Sequence, residues 1–182
     1  MSRFNAVILI IILVCLGISI TSGIVISPVC TEPGFQKNPA ISGEIIVWQS
    51  SNEPDLNEYD IYLWDPEGGV QPVCTEDGDQ RNAAISGDTI VWQDKRNYET
   101  TGWDIYLWDP VGGEQSVCTD EGDQILPAIS GDTVVWQDNR SYESTGWDLY
   151  KKDLGPGEIV QPLCTEPGDQ INEKISGDTI VW

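Results

Sequence analysis

Carboxylates are the residues of this chain best placed to do chemistry. Thirty aspartates and glutamates stand against nine lysines and arginines and no histidine, a formal charge of −21 over 182 residues. Paired carboxylates can hydrolyse a glycosidic bond without histidine. The lack of imidazole removes any Ser-His-Asp or Cys-His pair and any imidazole metal ligand. So acidic a surface repels phosphate backbones and excludes nucleic acid as a partner. An active site is usually one asymmetric constellation, yet most acids here recur from unit to unit in similar loops. Thr75-Glu76-Asp77-Gly78-Asp79-Gln80, Thr119-Asp120-Glu121-Gly122-Asp123-Gln124 and Thr165-Glu166-Pro167-Gly168-Asp169-Gln170 are three versions of one loop. The irregular stretch from Ser50 to Tyr59 holds the local exceptions, Glu53, Asp55 and Glu58. They are the candidates for a secreted glycan-active enzyme, the alternative reading. The leading expectation is a protein that is not an enzyme and has no cofactor.

The elements that position these residues follow from a repeat. Cys30, Cys74, Cys118 and Cys164 are spaced by 44, 44 and 46 residues, and Trp48, Trp92, Trp136 and Trp182 repeat with them. Each unit carries Ile-Ser-Gly-Asp or Ile-Ser-Gly-Glu before a β-rich run ending in Val-Trp, a period typical of repeat architectures. One unit reads as four short strands, 84–86, 89–93, 104–108 and 115–118, with Gly- and Asp-bearing turns between them. Thr89-Ile90-Val91-Trp92 and Asp104-Ile105-Tyr106-Leu107-Trp108 are bulky on both strand faces, so both must be covered. A four-stranded sheet packed between copies of itself is a propeller blade. The expected fold is therefore all-β, a β-propeller of four-stranded blades with repeats of about 44 residues. The domains are a closure strand at 24–31, blades at 38–75, 82–119 and 126–165, and a partial blade at 172–182. That count reads as a truncated chain, with further blades expected beyond Trp182.

Pro127-Ala128-Ile129-Ser130-Gly131-Asp132, Val134-Val135-Trp136-Gln137-Asp138-Asn139-Arg140 and Trp147-Asp148-Leu149-Tyr150 resemble the TolB-like propeller repeat of archaeal cell-surface proteins. The resemblance covers residues 24–182 and implies a secreted or surface-displayed propeller that binds a ligand. Bacterial TolB is less similar, since its repeat has Ser-Pro-Asp-Gly where this chain has Ser-Gly-Asp.

Arg3 followed by the apolar run from Ala6 to Leu16 reads as an export signal, with Thr21-Ser22-Gly23 at the cleavage point. The same stretch, extended over residues 6–26, is long enough for a retained membrane anchor. Cys15 belongs to this segment. Both readings place residues 24–182 outside the cytoplasm. The four repeating cysteines occupy equivalent strands of different units, which favours buried free thiols over disulfides.

Successive loops of a blade alternate between its two ends. The inter-unit loops therefore share a face with the loops from Asp94 to Gly102 and from Asp138 to Gly146. The expected ligand-binding face comprises Asp79, Asp94, Arg96, Tyr98, Trp103, Asp123, Asp138, Arg140, Tyr142 and Trp147. Carboxylates and aromatics there suit a protein or carbohydrate partner at the cell surface. The structural reading of the same residues is that the glycines make turns, the aspartates cap them, and Arg96 and Arg140 pair with neighbouring aspartates. Calcium is the cofactor alternative for the acidic loops, without the acid alternation of an EF-hand. Asn139-Arg140-Ser141 is a glycosylation sequon.

Overall fold

The structure, a computed structural model, describes residues 27–51 and 58–182. The chain divides into two units, Met1–Pro33 and Gly34–Trp182. The signal or anchor segment, Cys15, residues 24–26 of the expected closure strand, and Glu53 and Asp55 lie outside the described residues. Residues 27–31, the rest of that strand, are in no strand.

The second unit is built from antiparallel sheets in sequence order. β1 (Phe35–Ser42), β2 (Ile45–Ser51), β3 (Asp60–Asp65) and β4 (Gly69–Cys74) form the first blade. β5 (Gln80–Ser86), β6 (Thr89–Asp94), β7 (Asp104–Asp109) and β8 (Gly113–Cys118) form the second. The third comprises β9 (Gln124–Ser130), β10 (Thr133–Asp138), β11 (Asp148–Asp153) and β12 (Gln161–Cys164), with a single helical turn, α1 (Tyr142–Thr145), between β10 and β11. β13 (Lys174–Ser176) and β14 (Thr179–Val181) pair as a two-stranded sheet. Each Ser-Gly element makes the tight turn between first and second strands. Gly87 sits there at φ +58, where an L side chain would be strained.

The core lies between blades rather than inside them. Ile90 and Trp92 of β6 join Val47, Ile61, Leu63 and Cys74 of the first blade. Their neighbour Val91 points the other way and joins Ile105, Leu107 and Cys118 against Ile129, Val134 and Trp136 of the third blade. Alternation along a pleated strand thus feeds two separate clusters, and continuous apolar runs are the result. In β11 the positions of Leu63 and Leu107 are taken by Lys151, and Lys152 donates to the Val117 carbonyl oxygen at 3.3 Å. Both lysines are half-buried, and Leu154 and Val160, flanking the Gly155-Pro156-Gly157 turn, pack against the core cluster.

The first strand of each blade is longer than its sequence suggests. β5 starts at Gln80, and the pairing Arg81↔Gln93 jumps to Ala84↔Val91 across a bulge. Asn38, Asn82 and Leu126 occupy the bulge with φ between 50 and 55, and Asn172, ahead of β13, has a φ of 65. The bulge aims a backbone N–H at the preceding blade: Asn82 N donates to Gln49 Oε1 at 3.1 Å, and Leu126 N to Gln93 Oε1 at 3.0 Å. Nearer the Ser-Gly turns, Gly131 N donates to Ser86 Oγ and Gly177 N to Ser130 Oγ, both at 2.9 Å. Leucine is poorly suited to the left-handed region, whereas asparagine tolerates it. Leu126→Asn is expected to stabilise the protein by about 0.5–1 kcal/mol, read as a higher urea midpoint with an unchanged m-value.

Candidate functional site

The loops between second and third strands meet the inter-blade loops at one end of the blades. The bonds joining them repeat. Lys95 N donates to the Asp79 carbonyl and Asn139 N to the Asp123 carbonyl, at 2.9 and 3.0 Å. Gln80, Gln124 and Gln170 each donate a backbone N–H to the carbonyl of Tyr59, Trp103 or Trp147. The aspartate one residue earlier returns the bond: Tyr59 N donates to Asp79 Oδ1, Trp103 N to Asp123 Oδ1 and Trp147 N to Asp169 Oδ1, at 3.0–3.1 Å. Gly122 lies so close to the next blade's loop that a Cβ would stand 3.0 Å from the Arg140 backbone.

Behind these loops each of the second and third blades holds a buried clamp. Asp94 is fully buried; its Oδ1 accepts from Arg96 Nε at 3.0 Å and its Oδ2 from Arg96 Nη2 at 2.7 Å and Trp92 Nε1 at 2.9 Å. The Arg96 guanidinium also reaches Glu114 Oε1 at 2.6 Å, Cys74 Sγ of the preceding blade at 3.1 Å, and the Tyr106 ring at 4.2 Å. The third blade repeats this with Asp138, Trp136, Arg140, Cys118 and Tyr150, but its second carboxylate, Asp120, comes from the loop after β8 instead of an outer strand. Despite the cost of burying the guanidinium, its carboxylate partners hold both arginines firmly in the charged form. Burial pushes the Cys74 thiol up to about 12 and the Cys118 thiol to about 11, so both are neutral at physiological pH. All four described cysteines are free.

The ten residues expected on the binding face therefore divide. Asp94 and Asp138 are fully buried inside the clamps, and Arg96 and Arg140 are committed to them. The arginines pair with Asp94 and Glu114, and with Asp138 and Asp120; Asp104 and Asp148 receive neither guanidinium. Asp79 is buried against Arg81 Nε at 2.5 Å, and Asp123 accepts from Asn139 Nδ2 at 3.3 Å. Tyr98 and Tyr142 are exposed, and Trp103 and Trp147 are half-buried beside them. Lys95 Nζ lies 4.3 Å from the Tyr98 ring, while Tyr142 meets Trp147 edge-on at 6.5 Å. The Asn139 amide is bonded on both sides, because its Oδ1 also accepts from Asp123 N at 2.6 Å. A glycan at this sequon would be attached to Nδ2, the atom that donates to Asp123 Oδ2. Among the described residues no three acids, cysteines or histidines gather as a metal site.

One acid that repetition made inconspicuous is Glu173. It stands where the earlier blades have Pro39, Ala83 and Pro127, so it is an acid without equivalents, contrary to the even recurrence read elsewhere in the chain. Its side chain is almost wholly buried; Oε2 accepts from Gln137 Nε2 at 2.7 Å, while Oε1 has no donor among the described residues. Burial holds its carboxyl above the usual glutamate range.

Neither a protein family nor a curated relative matches the chain. Solved structures match by fold. A TolB structure from Agrobacterium tumefaciens superposes with a TM-score of 0.52 at 16% identity, over 76% of this chain and 55% of that one. An acylaminoacyl peptidase from Pyrococcus horikoshii gives 0.57 at 17%, over 77% and 22%. The β-propeller domain of the Trilobed protease from Pyrococcus furiosus, described as having an open velcro topology, gives 0.55 at 14%, over 75% and 42%. The class is thus the β-propeller, a fold shared with the TolB and peptidase propeller structures. The chain spans about half of the TolB chain and about a fifth of the peptidase.

Arg96→Ala strands the buried Asp94 carboxylate and is expected to cost about 3–5 kcal/mol, measured by urea unfolding. Glu173 makes a pH prediction. The unfolded chain releases this proton near its ordinary 4.5, the folded chain only at higher pH. Between the two the folded state holds the extra proton, so stability falls as pH rises through that window and levels off above it. Asp60 and Asp104, also raised by burial, slope the same way. Glu173→Gln is expected to flatten part of the decline and to unfold at higher denaturant than wild type at pH 7; identical pH profiles would refute it.

Proposed function

We propose that the chain is an exported, cell-surface β-propeller module of the archaeal TolB-like kind, which binds a protein or carbohydrate ligand on its loop face without chemistry of its own. One observation carries this reading. The repeated Asp79, Asp123, Arg96 and Arg140 are spent on holding the loops, and what the face turns to solvent between them is aromatic, Tyr98 and Tyr142 beside the half-buried Trp103 and Trp147, set among exposed acids such as Glu99 and Glu143. The apolar run behind Arg3 supports export. The readout is a pair of assays on the full chain. Titration calorimetry with cell-surface glycans and peptides is expected to show binding, and chromatography of the same mixtures to show no cleavage. Cleavage abolished by Glu58→Gln would replace this reading with the glycan-active enzyme. Protease treatment of intact source cells is expected to release propeller peptides; their retention in the cytosolic fraction would refute export.

A further inference from the structure

The junction of the first and second blades departs from the repeat. Tyr59 stands where later blades have Trp103 and Trp147, Arg81 where they have Ile125 and Ile171, and Lys95 where the third has Asn139. Lys37, on the strand that precedes Arg81 around the ring, occupies the same position as Arg81. Lys37 Nζ donates to the Tyr59 hydroxyl at 2.6 Å, and the Arg81 guanidinium lies 5.2 Å from the same ring. Lys95 Nζ sits between Tyr98, at 4.3 Å, and Trp103, at 5.8 Å. In a chain this acidic, Lys37 and Lys95 nevertheless make no ion pair among the described residues; each lies against aromatic faces.

An open cleft of about 650 Å³ lies here, its walls including Glu58, Asp79, Arg81, Lys95, Tyr98 and Glu99. The wall from Lys95 to Gly102 has turned its backbone inward: Tyr98 N donates to the Lys95 carbonyl, Thr100 N and Thr101 N to that of Asn97, and Gly102 N to that of Tyr98. An added peptide strand draws its affinity from main-chain donors and acceptors, which this wall has spent. Of the side chains, the Asn97 amide already donates to Asp104 and Tyr106 and the Thr100 hydroxyl to the Asn97 carbonyl; what remains is the Lys95 ammonium, the exposed Tyr98 ring and the exposed carboxylates of Glu58 and Glu99. That set suits a sugar, whose ring lies against an aromatic face, whose hydroxyls donate to carboxylates and whose acid group takes the ammonium.

We propose that this cleft binds the terminal uronate of a short oligosaccharide, with its carboxylate on Lys95 and its ring against Tyr98. The inference rests on the binding-module reading above and names its ligand. A long polyuronate is disfavoured, because the net charge of −21 repels a polyanion beyond the few ångströms over which Lys95 attracts it.

Calorimetry at low salt on the full chain tests it with three probes: a trisaccharide ending in glucuronate, the same sugar ending in glucose, and triglutamate. The glucuronate sugar is expected to bind at least about tenfold more tightly than the glucose sugar, since a charge-assisted bond is at stake. Lys95→Ala is expected to remove that difference, and Lys151→Ala, in the third blade, to preserve it. Circular dichroism of Lys95→Ala establishes that loss of binding is not loss of fold. Equal binding of the two sugars, preference for triglutamate, or an unaltered Lys95→Ala overturns the proposal. Should neutral glycans or peptides bind regardless of Lys95, the uronate site fails while the module reading stands. Cleavage of the glucuronate sugar would do the reverse.

Discussion

A blade of this chain cannot bury either of its faces alone. Ile90 and Trp92 go one way and Val91 the other, into different clusters with different neighbours. Every blade is therefore unstable without the next, and stability is a sum over junctions, as in other repeat architectures. Most other features serve that constraint. The left-handed bulge at Asn82 strains one residue so that its N–H can reach Gln49 across the junction, and Ser86 spends its hydroxyl on the Gly131 N–H of the following blade.

The clamps solve a harder part of the same problem. A junction that excludes water also desolvates whatever polar groups lie within it, and an isolated buried carboxylate would be prohibitively unfavourable. Asp94 is tolerable because a planar guanidinium meets both of its oxygens and an indole N–H meets one of them. The first blade shows the converse. Ser50 replaces the aspartate there, Asn52 stands in place of the arginine in the sequence, and the Trp48 indole N–H has no partner among the described residues. The tryptophan stays because its area against Tyr62, stacked at 6.3 Å, is needed whether or not the clamp exists.

How much of this was legible in the sequence depends on how far each interaction reaches. The blade and its period were legible, because Cys74, Trp92 and the Ile85-Ser86-Gly87 turn each recur once per unit and need no partner to be recognised. The start of β5 was not, since the bulge at Asn82 exists for a glutamine 33 residues earlier in another blade. Pairing of Arg96 with Asp94 was among the local choices the pattern offered, but its second partner, Glu114, lies across β7 on an outer strand and followed no short-range rule. The exposure of Tyr98 and Tyr142 was readable from their loops. The complete burial of Asp94 and Asp138 was not, because it depends on the neighbouring blade.

Repetition and binding specificity pull in opposite directions. A side chain that must satisfy the same junction in every blade is not free to meet a ligand, as Asp79 and Asp123 show by capping the backbone of their neighbours. Freedom arises where one blade abandons the pattern. Glu173 does so inside a junction, and its carboxyl is absorbed by Gln137. Lys95 does so at the rim, where the equivalent Asn139 is fully occupied with Asp123. Substituting lysine at this position gives up a side-chain tie to the inter-blade loop and gains a cation over an exposed ring. The backbone tie from Lys95 N to the Asp79 carbonyl keeps that loop in place, so the substitution costs the fold little and leaves the ammonium free for a ligand.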